Sequence, residues 1–215
     1  MNDIYIIGAG GFGREVAWLI ERINEIDRKW NVQGYIDDDK EKWNKKEGDL
    51  PVLGGCEYLI EKSMSTRKKC YAVCAVGSSR IRKTIIEKLK NSNVFFATLI
   101  DPSVIVSRDV KLGEGTIICA GTIITVNVSI GNHVIINLDS TLGHDDFVAD
   151  YVTIFPSVNV SGMVSLGECV ELGTGVQVIQ GKKIVENVIV GAGSVVIRDI
   201  DYAGTYVGIP TKKIK

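Results

Sequence analysis

The chain has little net charge, few histidines, no paired cysteine motif and no long apolar run. Each shortage closes off a class of function. Its 215 residues sum to a charge of −1, so the electrostatic footprint of a nucleic-acid binder is missing. No stretch of about eighteen apolar residues occurs, so no membrane span is expected. The opening MNDIYIIGAGG enters an apolar pattern directly, without the charged segment and cleavage site of a secretory signal. The five cysteines (Cys56, Cys70, Cys74, Cys119 and Cys169) are odd in number and form no C-x-x-C pair. They read as reduced thiols of a cytoplasmic protein. Their spacing fits no zinc site, and no metal is expected. Only two histidines, His133 and His144, are available for imidazole chemistry.

What is present falls into two grammars. Residues 1–93 read as a small α/β domain. IYIIGAG is a short apolar run ending in glycines, a buried strand. GREVAWLIERINEI follows with helical spacing at Val16, Ile20, Ile23 and Ile26. VQGYIDDD and KCYAVCAVGSS read as further strands, and RIRKTIIEKLKN as a second helix. Strands alternating with helices predict a small parallel sheet, a Rossmann-like half-domain. DDDKEKWNKKEGDLP reads as an exposed polar loop.

Over residues 94–215 an aliphatic residue recurs every six positions. The series runs from Val94, Ile100, Val106 and Leu112 to Ile184, Val190 and Val196, eighteen positions without a break. Such a period predicts a solenoid of short strands and turns, each aliphatic side chain inward and buried by the next coil. Stacked strands lie roughly 4.8 Å apart. The aliphatic columns fill so narrow a prism, which leaves no room inside for a substrate. A ligand must use the outside of the coils, with a neighbouring subunit to close the pocket.

Two segments carry candidate chemistry. GAGGFG, Gly8 to Gly13, links a strand to a helix, where glycines allow close backbone approach and the helix N-terminus favours a phosphate. Asp37, Asp38 and Asp39 close the next strand, where a ribose- or base-reading acid sits. Gly77 and Ser78 end the third strand at the same expected edge. The same residues also fit plain strand-end turns. The α/β part is too short for two mononucleotide halves, so it suits a nucleotide or sugar-nucleotide rather than NAD.

The second segment is GHDD. His144 has carboxylates beside it at Asp145 and Asp146, whereas His133 sits in a plain repeat unit. An imidazole accepts a proton near neutral pH, and a carboxylate on its far nitrogen fixes the tautomer. Either aspartate could be that partner, and a surface histidine beside two solvated aspartates fits the sequence equally. No nucleophile elbow appears, so direct transfer is expected rather than a covalent acyl-enzyme.

The combination of IIGAGGFGRE, IRK, INLDSTLGHDD, VSG and the terminal VGIPTKKIK resembles the bacterial sugar acetyltransferases of the bacillosamine and sialic-acid pathways, within the hexapeptide-repeat acyltransferases. That resemblance implies a left-handed parallel β-helix with three units per coil, a homotrimer, and acetyl-CoA running along an adjacent subunit. It implies His144 as general base, Asp145 as the acid that raises its basicity, and the Gly162 amide as oxyanion donor. It places Asn137 at the acceptor sugar, and Gly10, Gly11, Phe12, Asp37, Asp38 and Gly77 at the nucleotide-sugar. Thr153, Thr174 and Ala192 stand at coenzyme-lining positions; some relatives carry a second histidine where Thr153 is. Lys212 and Lys213 are either contacts for coenzyme phosphates or part of a solvated C-terminal tail. The expected activity is N-acetylation of a nucleotide-linked amino-deoxy sugar of the 4-amino-4,6-dideoxyhexose type. The alternatives are O-acetylation of a sialic acid and a non-enzymatic scaffold.

Overall fold

Ile4, Tyr5, Ile6 and Ile7 are all nearly inaccessible to solvent, which marks them as a central strand covered on both faces. They lie in β1 (Asn2–Ile7), flanked in parallel by β2 (Trp30–Ile36) and β5 (Cys70–Cys74). The computed structural model describes residues 1–66 and 68–215. They divide into two units, Met1–Pro102 and Ser103–Lys215.

The first unit adds β3 (Lys46–Glu47), β4 (Leu50–Gly54) and β6 (Val94–Phe96) to the sheet, in the order β3-β4-β2-β1-β5-β6. Only β3 is antiparallel to its neighbour. The helices are α1 (Gly11–Ile26), α2 (Cys56–Ser65) and α3 (Ser79–Leu89). After β1 the chain adds strands on one side, then returns to place β5 on the other. The crevice at the ends of β1 and β5 is therefore a topological switch point, where open α/β sheets bind ligands. α1 buries Val16, Ala17, Leu19 and Ile20. Ile26, which the helical spacing places inward, is 79% exposed in the last turn. Arg22 donates to both oxygens of the buried Asp101, at 2.6 and 3.0 Å, tying this helix to the end of the unit. The polar stretch after β2 is partly ordered as a 3₁₀ turn at Lys40–Lys42 and as β3.

In the second unit, two-residue strands recur every six residues and pair in parallel with strands eighteen residues on. Ile117 faces Ile135, Ile123 faces Thr141, and Ser129 faces Phe147. Eighteen residues thus make one coil of a left-handed parallel β-helix. Every position of the aliphatic series from Ile118 to Val196 is buried. Val106, in the unit's first coil, is 37% exposed. Val94 belongs to β6 of the first unit, so the numerical series begins before the coils do.

Two features of the coils are absent from the sequence reading. A second buried column lies two residues before the aliphatic one. It is mostly valine, with Thr116, Thr122, Ser140, Asp146 and Ser194 also in place. And each corner from Gly115 to Gly193 holds one residue at φ between 53° and 76°, fourteen in succession. Five are glycine and four are Asn or Asp, the types that tolerate this region; the rest are His133, Tyr151, Ser157, Met163 and Cys169. The C-terminus is no loose tail. Gly204–Val207 stacks on Val188–Val190, and Lys212–Lys213 folds back antiparallel on it, with both lysines exposed.

Candidate active site

His144 stands at a coil corner with its side chain 56% exposed, and its Nδ1 lies 2.7 Å from Asp145 Oδ2. Asp145 occupies the left-handed corner position (φ 62°). Its other oxygen accepts from Asn127 Nδ2 at 2.6 Å. The Asn127 N–H in turn donates to Asp109 Oδ2 at 3.0 Å. These three residues are eighteen apart, so they form a vertical ladder up one edge of the prism. The hydrogen bond from Asn127, followed by the contact with His144, holds the Asp145 carboxyl below its usual range. An ionised carboxylate only accepts, so Nδ1 of His144 carries the proton and Nε2 is left as the acceptor.

Gly162 lies one coil above, against the imidazole. A Cβ added there would come 2.6 Å from Nε2. The Gly162 carbonyl accepts from the Gly181 N–H at 3.0 Å, while its own N–H has no acceptor among the described residues. A base nitrogen and an amide donor with no acceptor among the described residues are therefore neighbours at one corner of the coils. That pair can take a proton from a nucleophile and stabilise an oxyanion.

Asp146 does not share in this pairing. It turns inward into the second column, 2% exposed, and its Oδ1 accepts from the Val164 N–H at 2.8 Å. Burial pushes its carboxyl up to about 7. The corner geometry thus assigns the His144 partnership to Asp145. His133 is buried with its ring stacked on Tyr151, centroids 5.4 Å apart.

The remaining positions in the coils are dispersed. Asn137 accepts the Leu138 N–H with its side-chain oxygen at 2.8 Å. Thr153 is 1% exposed, whereas Thr174 and Ala192 are exposed. Thr174 and Ala192 are thirty and forty-eight residues beyond His144. Neither is a multiple of the eighteen-residue coil, so within one chain they occupy a different edge of the prism.

In the first unit, Gly10 caps α1 without any side-chain bond, leaving the helix N-terminus open beside Gly11 and Phe12. Close packing explains the surrounding glycines: Gly8 has φ 106°, and a Cβ on Gly13 would run into the Gly8 carbonyl. Asp37 Oδ2 accepts the Ala9 N–H at 2.9 Å and Lys42 Nζ at 3.0 Å. Asp38 accepts the Cys56 N–H at 2.8 Å and Lys88 Nζ at 3.1 Å. Despite partial burial, these bonds lower both carboxyls. Both acids line a cavity of about 350 Å³ with Gly8, Ile36, Val76 and Ile85 among its walls. Gly77 lies next to it, and the buried Arg82 of the IRK segment donates to the Val76 and Gly77 carbonyls at 2.6 and 3.2 Å. The sequence reading missed Asn127, Asp109, Lys42 and Lys88. The first two become visible by counting back one coil from Asp145 at a time.

Residues 3–89 match the PglD N-terminal domain. The GDP-perosamine N-acetyltransferase of Escherichia coli O157:H7 is 29% identical over 196 residues, 90% of this chain and 85% of that protein. The UDP-N-acetylbacillosamine N-acetyltransferase of Bacillus subtilis is 36% identical over 120 residues, 56% of this chain and 52% of that protein. Among solved structures, a histidine variant of the perosamine N-acetyltransferase from Caulobacter crescentus, in complex with CoA and GDP-perosamine, superposes with a TM-score of 0.90. It is 29% identical, with 100% of this chain and 98% of that one covered. With the α/β unit, the eighteen-residue coils and the histidine corner all in place, the chain is similar in sequence and fold to the nucleotide-sugar N-acetyltransferases.

Proposed function

We propose that the protein transfers an acetyl group from acetyl-CoA to the amine of a nucleotide-linked 4-amino-4,6-dideoxy sugar, with His144 as general base. The observation that carries this reading is the His144–Asp145 pair, whose ionised carboxylate leaves Nε2 as acceptor beside the unpaired Gly162 N–H. The names of the relatives supply the reaction class: N-acetylation of perosamine and bacillosamine nucleotides. CoA and GDP-perosamine sit together in the Caulobacter protein.

On this reading the sugar nitrogen attacks the thioester carbonyl while Nε2 takes its proton. Asp145 stabilises the imidazolium. The negative oxygen of the tetrahedral intermediate is held by the Gly162 N–H. Collapse breaks the C–S bond, and the proton on Nε2 goes to the departing thiolate of coenzyme A. Gly10, Gly11, Phe12, Asp37, Asp38 and Gly77 hold the nucleotide in the first unit, and Asn137 contacts the sugar. Thr174 and Ala192, both exposed, take the coenzyme; Thr153, expected to join them, is buried and does not reach it. Since Thr174 and Ala192 lie on a different edge from His144, the coenzyme positions serve the His144 of a neighbouring copy, which calls for a homotrimer. The enzyme works in the cytoplasm, where its five buried cysteines, none of them in a disulfide, remain reduced.

The test is coenzyme A release from acetyl-CoA with UDP-, dTDP- and GDP-linked 4-amino-4,6-dideoxy sugars and with free and CMP-linked sialic acids. Release is expected with one amino sugar and should fall about 10²–10⁴-fold in His144→Ala. Release with sialic acid alone would make the acceptor a hydroxyl. Full turnover in His144→Ala would remove the base from its role.

A further inference from the structure

Asp146 is the one acidic residue in the second inner column. Its Oδ2 is buried and accepts no hydrogen bond. Its neighbours in the column show what the position normally does. Thr116, Thr122 and Ser140 each donate their hydroxyl to the carbonyl fifteen residues on, at Gly131, Asn137 and Phe155, over 3.0, 3.3 and 3.1 Å. Thr116 and Ser140 also accept the N–H eighteen residues on, from Val134 and Val158, both at 3.3 Å. Asp146 reproduces the accepting half through the Val164 N–H at 2.8 Å. The donating half, fifteen residues on, falls at the carbonyl of Ser161.

That carbonyl belongs to the same peptide group as the Gly162 N–H. A donor on the oxygen of a peptide strengthens the donation of its N–H, because hydrogen bonds in a chain polarise one another. An ionised carboxylate cannot supply that donor, but a carboxylic acid can. The titratable groups that face Asp146 are His144 and Asp145. The stacked coils above and below present Val164 and Val128, with Lys182 beyond Val164. An apolar column of this kind favours the protonated form.

We propose that Asp146, as a carboxylic acid, donates Oδ2–H to the Ser161 carbonyl and thereby orients and polarises the Gly162 N–H that stabilises the oxyanion. Asp146 is then a positioning residue, acting through a backbone peptide without touching the substrate. The inference rests on the role of Gly162 proposed above, and its test has a readout separate from activity.

Asp146→Asn keeps both bonds at every pH, its amide oxygen accepting from Val164 and its amide N–H donating to Ser161. Asp146→Val, the commonest residue of the column, keeps neither and suits the core. In protein labelled with [¹⁵N]glycine, with His144→Ala as background to remove imidazole titration, the Gly162 amide proton should shift as pH rises from 5.5 to 8.5. The shift should vanish in Asp146→Asn, and Asp146→Val should match the high-pH form at every pH. With His144 present, Asp146→Val should lower kcat roughly three- to tenfold, a fraction of the ~10²–10³ lost with a whole oxyanion donor, and leave the sugar's KM unchanged. Asp146→Asn should hold kcat and exceed the unsubstituted enzyme above pH 8. A Gly162 resonance that is identical in Asp146→Val and in unsubstituted protein at pH 5.5 would overturn the proposal. So would one that titrates alike in Asp146→Asn. Absence of acetyl transfer by the unsubstituted enzyme would defeat the functional reading instead, and the resonance would still decide this one.

Discussion

Replacing Gly162 by alanine should separate chemistry from folding. Gly162 does not adopt a left-handed φ, so the backbone accepts alanine. The new Cβ would lie 2.6, 2.7 and 2.8 Å from Nε2, Cε1 and Cδ2 of His144. Ordinary contacts begin near ~3.5 Å, so the imidazole must withdraw by about 1 Å. It can do so, because its side chain is half exposed and bound only to Asp145 and not to backbone. A misplacement of ~1 Å at a reacting group costs ~10² in rate. Alanine also restricts the unfolded chain, a gain of roughly 0.4–1 kcal/mol. Gly162→Ala should therefore unfold in urea within about 1 kcal/mol of the parent while kcat falls about a hundredfold. Gly143→Ala is the control. Its Cβ would meet the backbone of the next coil, 2.7 Å from Gly162 Cα and from the Ser161 carbonyl carbon. Backbone held in a ladder cannot rotate away, so this variant should lose stability by about 1–3 kcal/mol or more, as overpacked cores do. The reasoning fails if Gly162→Ala keeps full kcat, or if it is destabilised as much as Gly143→Ala.

Asp145→Asn should be worse than Asp145→Ala. Its amide can donate to Nδ1 and put the ring proton on Nε2, a wrong tautomer that costs about 10⁴ in kcat where it has been seen; steady-state rates of the two variants decide. Asp146 should make stability depend on pH. Its carboxyl titrates near 7 when folded and near ~3.9 when unfolded, so the folded state binds the extra proton between those values. Its full contribution is present below pH ~4 and is lost as pH rises through about 7. The difference is up to about 4 kcal/mol. Urea unfolding at pH 5 and pH 8 should show this slope in the parent and a flatter one in Asp146→Asn. Met163→Gly should stabilise by about 1 kcal/mol, because Met163 holds φ 61° with an exposed side chain in a region that costs an L-residue ~1–2 kcal/mol; a denaturation midpoint unchanged or lowered would contradict this.

The period of six is legible in the sequence because each unit must send one aliphatic side chain inward, and from Ile118 to Val196 each of these is buried. The second column was hidden because valine alternates there with Thr, Ser and Asp, which bury themselves by bonding to the neighbouring coil. β4 and α2 were hidden for a related reason. Leu50–Gly54 is five residues with a proline among them, and α2 buries only Cys56, Leu59 and Ser63, so neither shows a strong apolar period. The GHDD cluster stood out by composition, but composition could not rank its two aspartates. Their placement in the coil does: Asp145 sits at a left-handed corner, and Asp146 two residues before the inward Val148. Asn127 could not be paired with Asp145 before the coil length was known, since they are neighbours only across eighteen residues.

The coil supplies a length standard. The step from His144 to Gly162 is one coil rise, fixed by backbone ladders such as Gly143 N–H to the Val160 carbonyl at 2.9 Å and Met163 N–H to the His144 carbonyl at 2.8 Å. Side-chain packing does not set that interval. A cavity cut into the aliphatic column lowers the fraction of folded molecules, but it leaves the gap between proton acceptor and amide donor where the sheet put it. Core variation and chemical competence are thus uncoupled, and each folded molecule of a core variant should turn over at the parent rate. The same standard makes the chemistry portable: deleting one whole coil elsewhere shortens the prism by a single step, and every corner above and below keeps its own register.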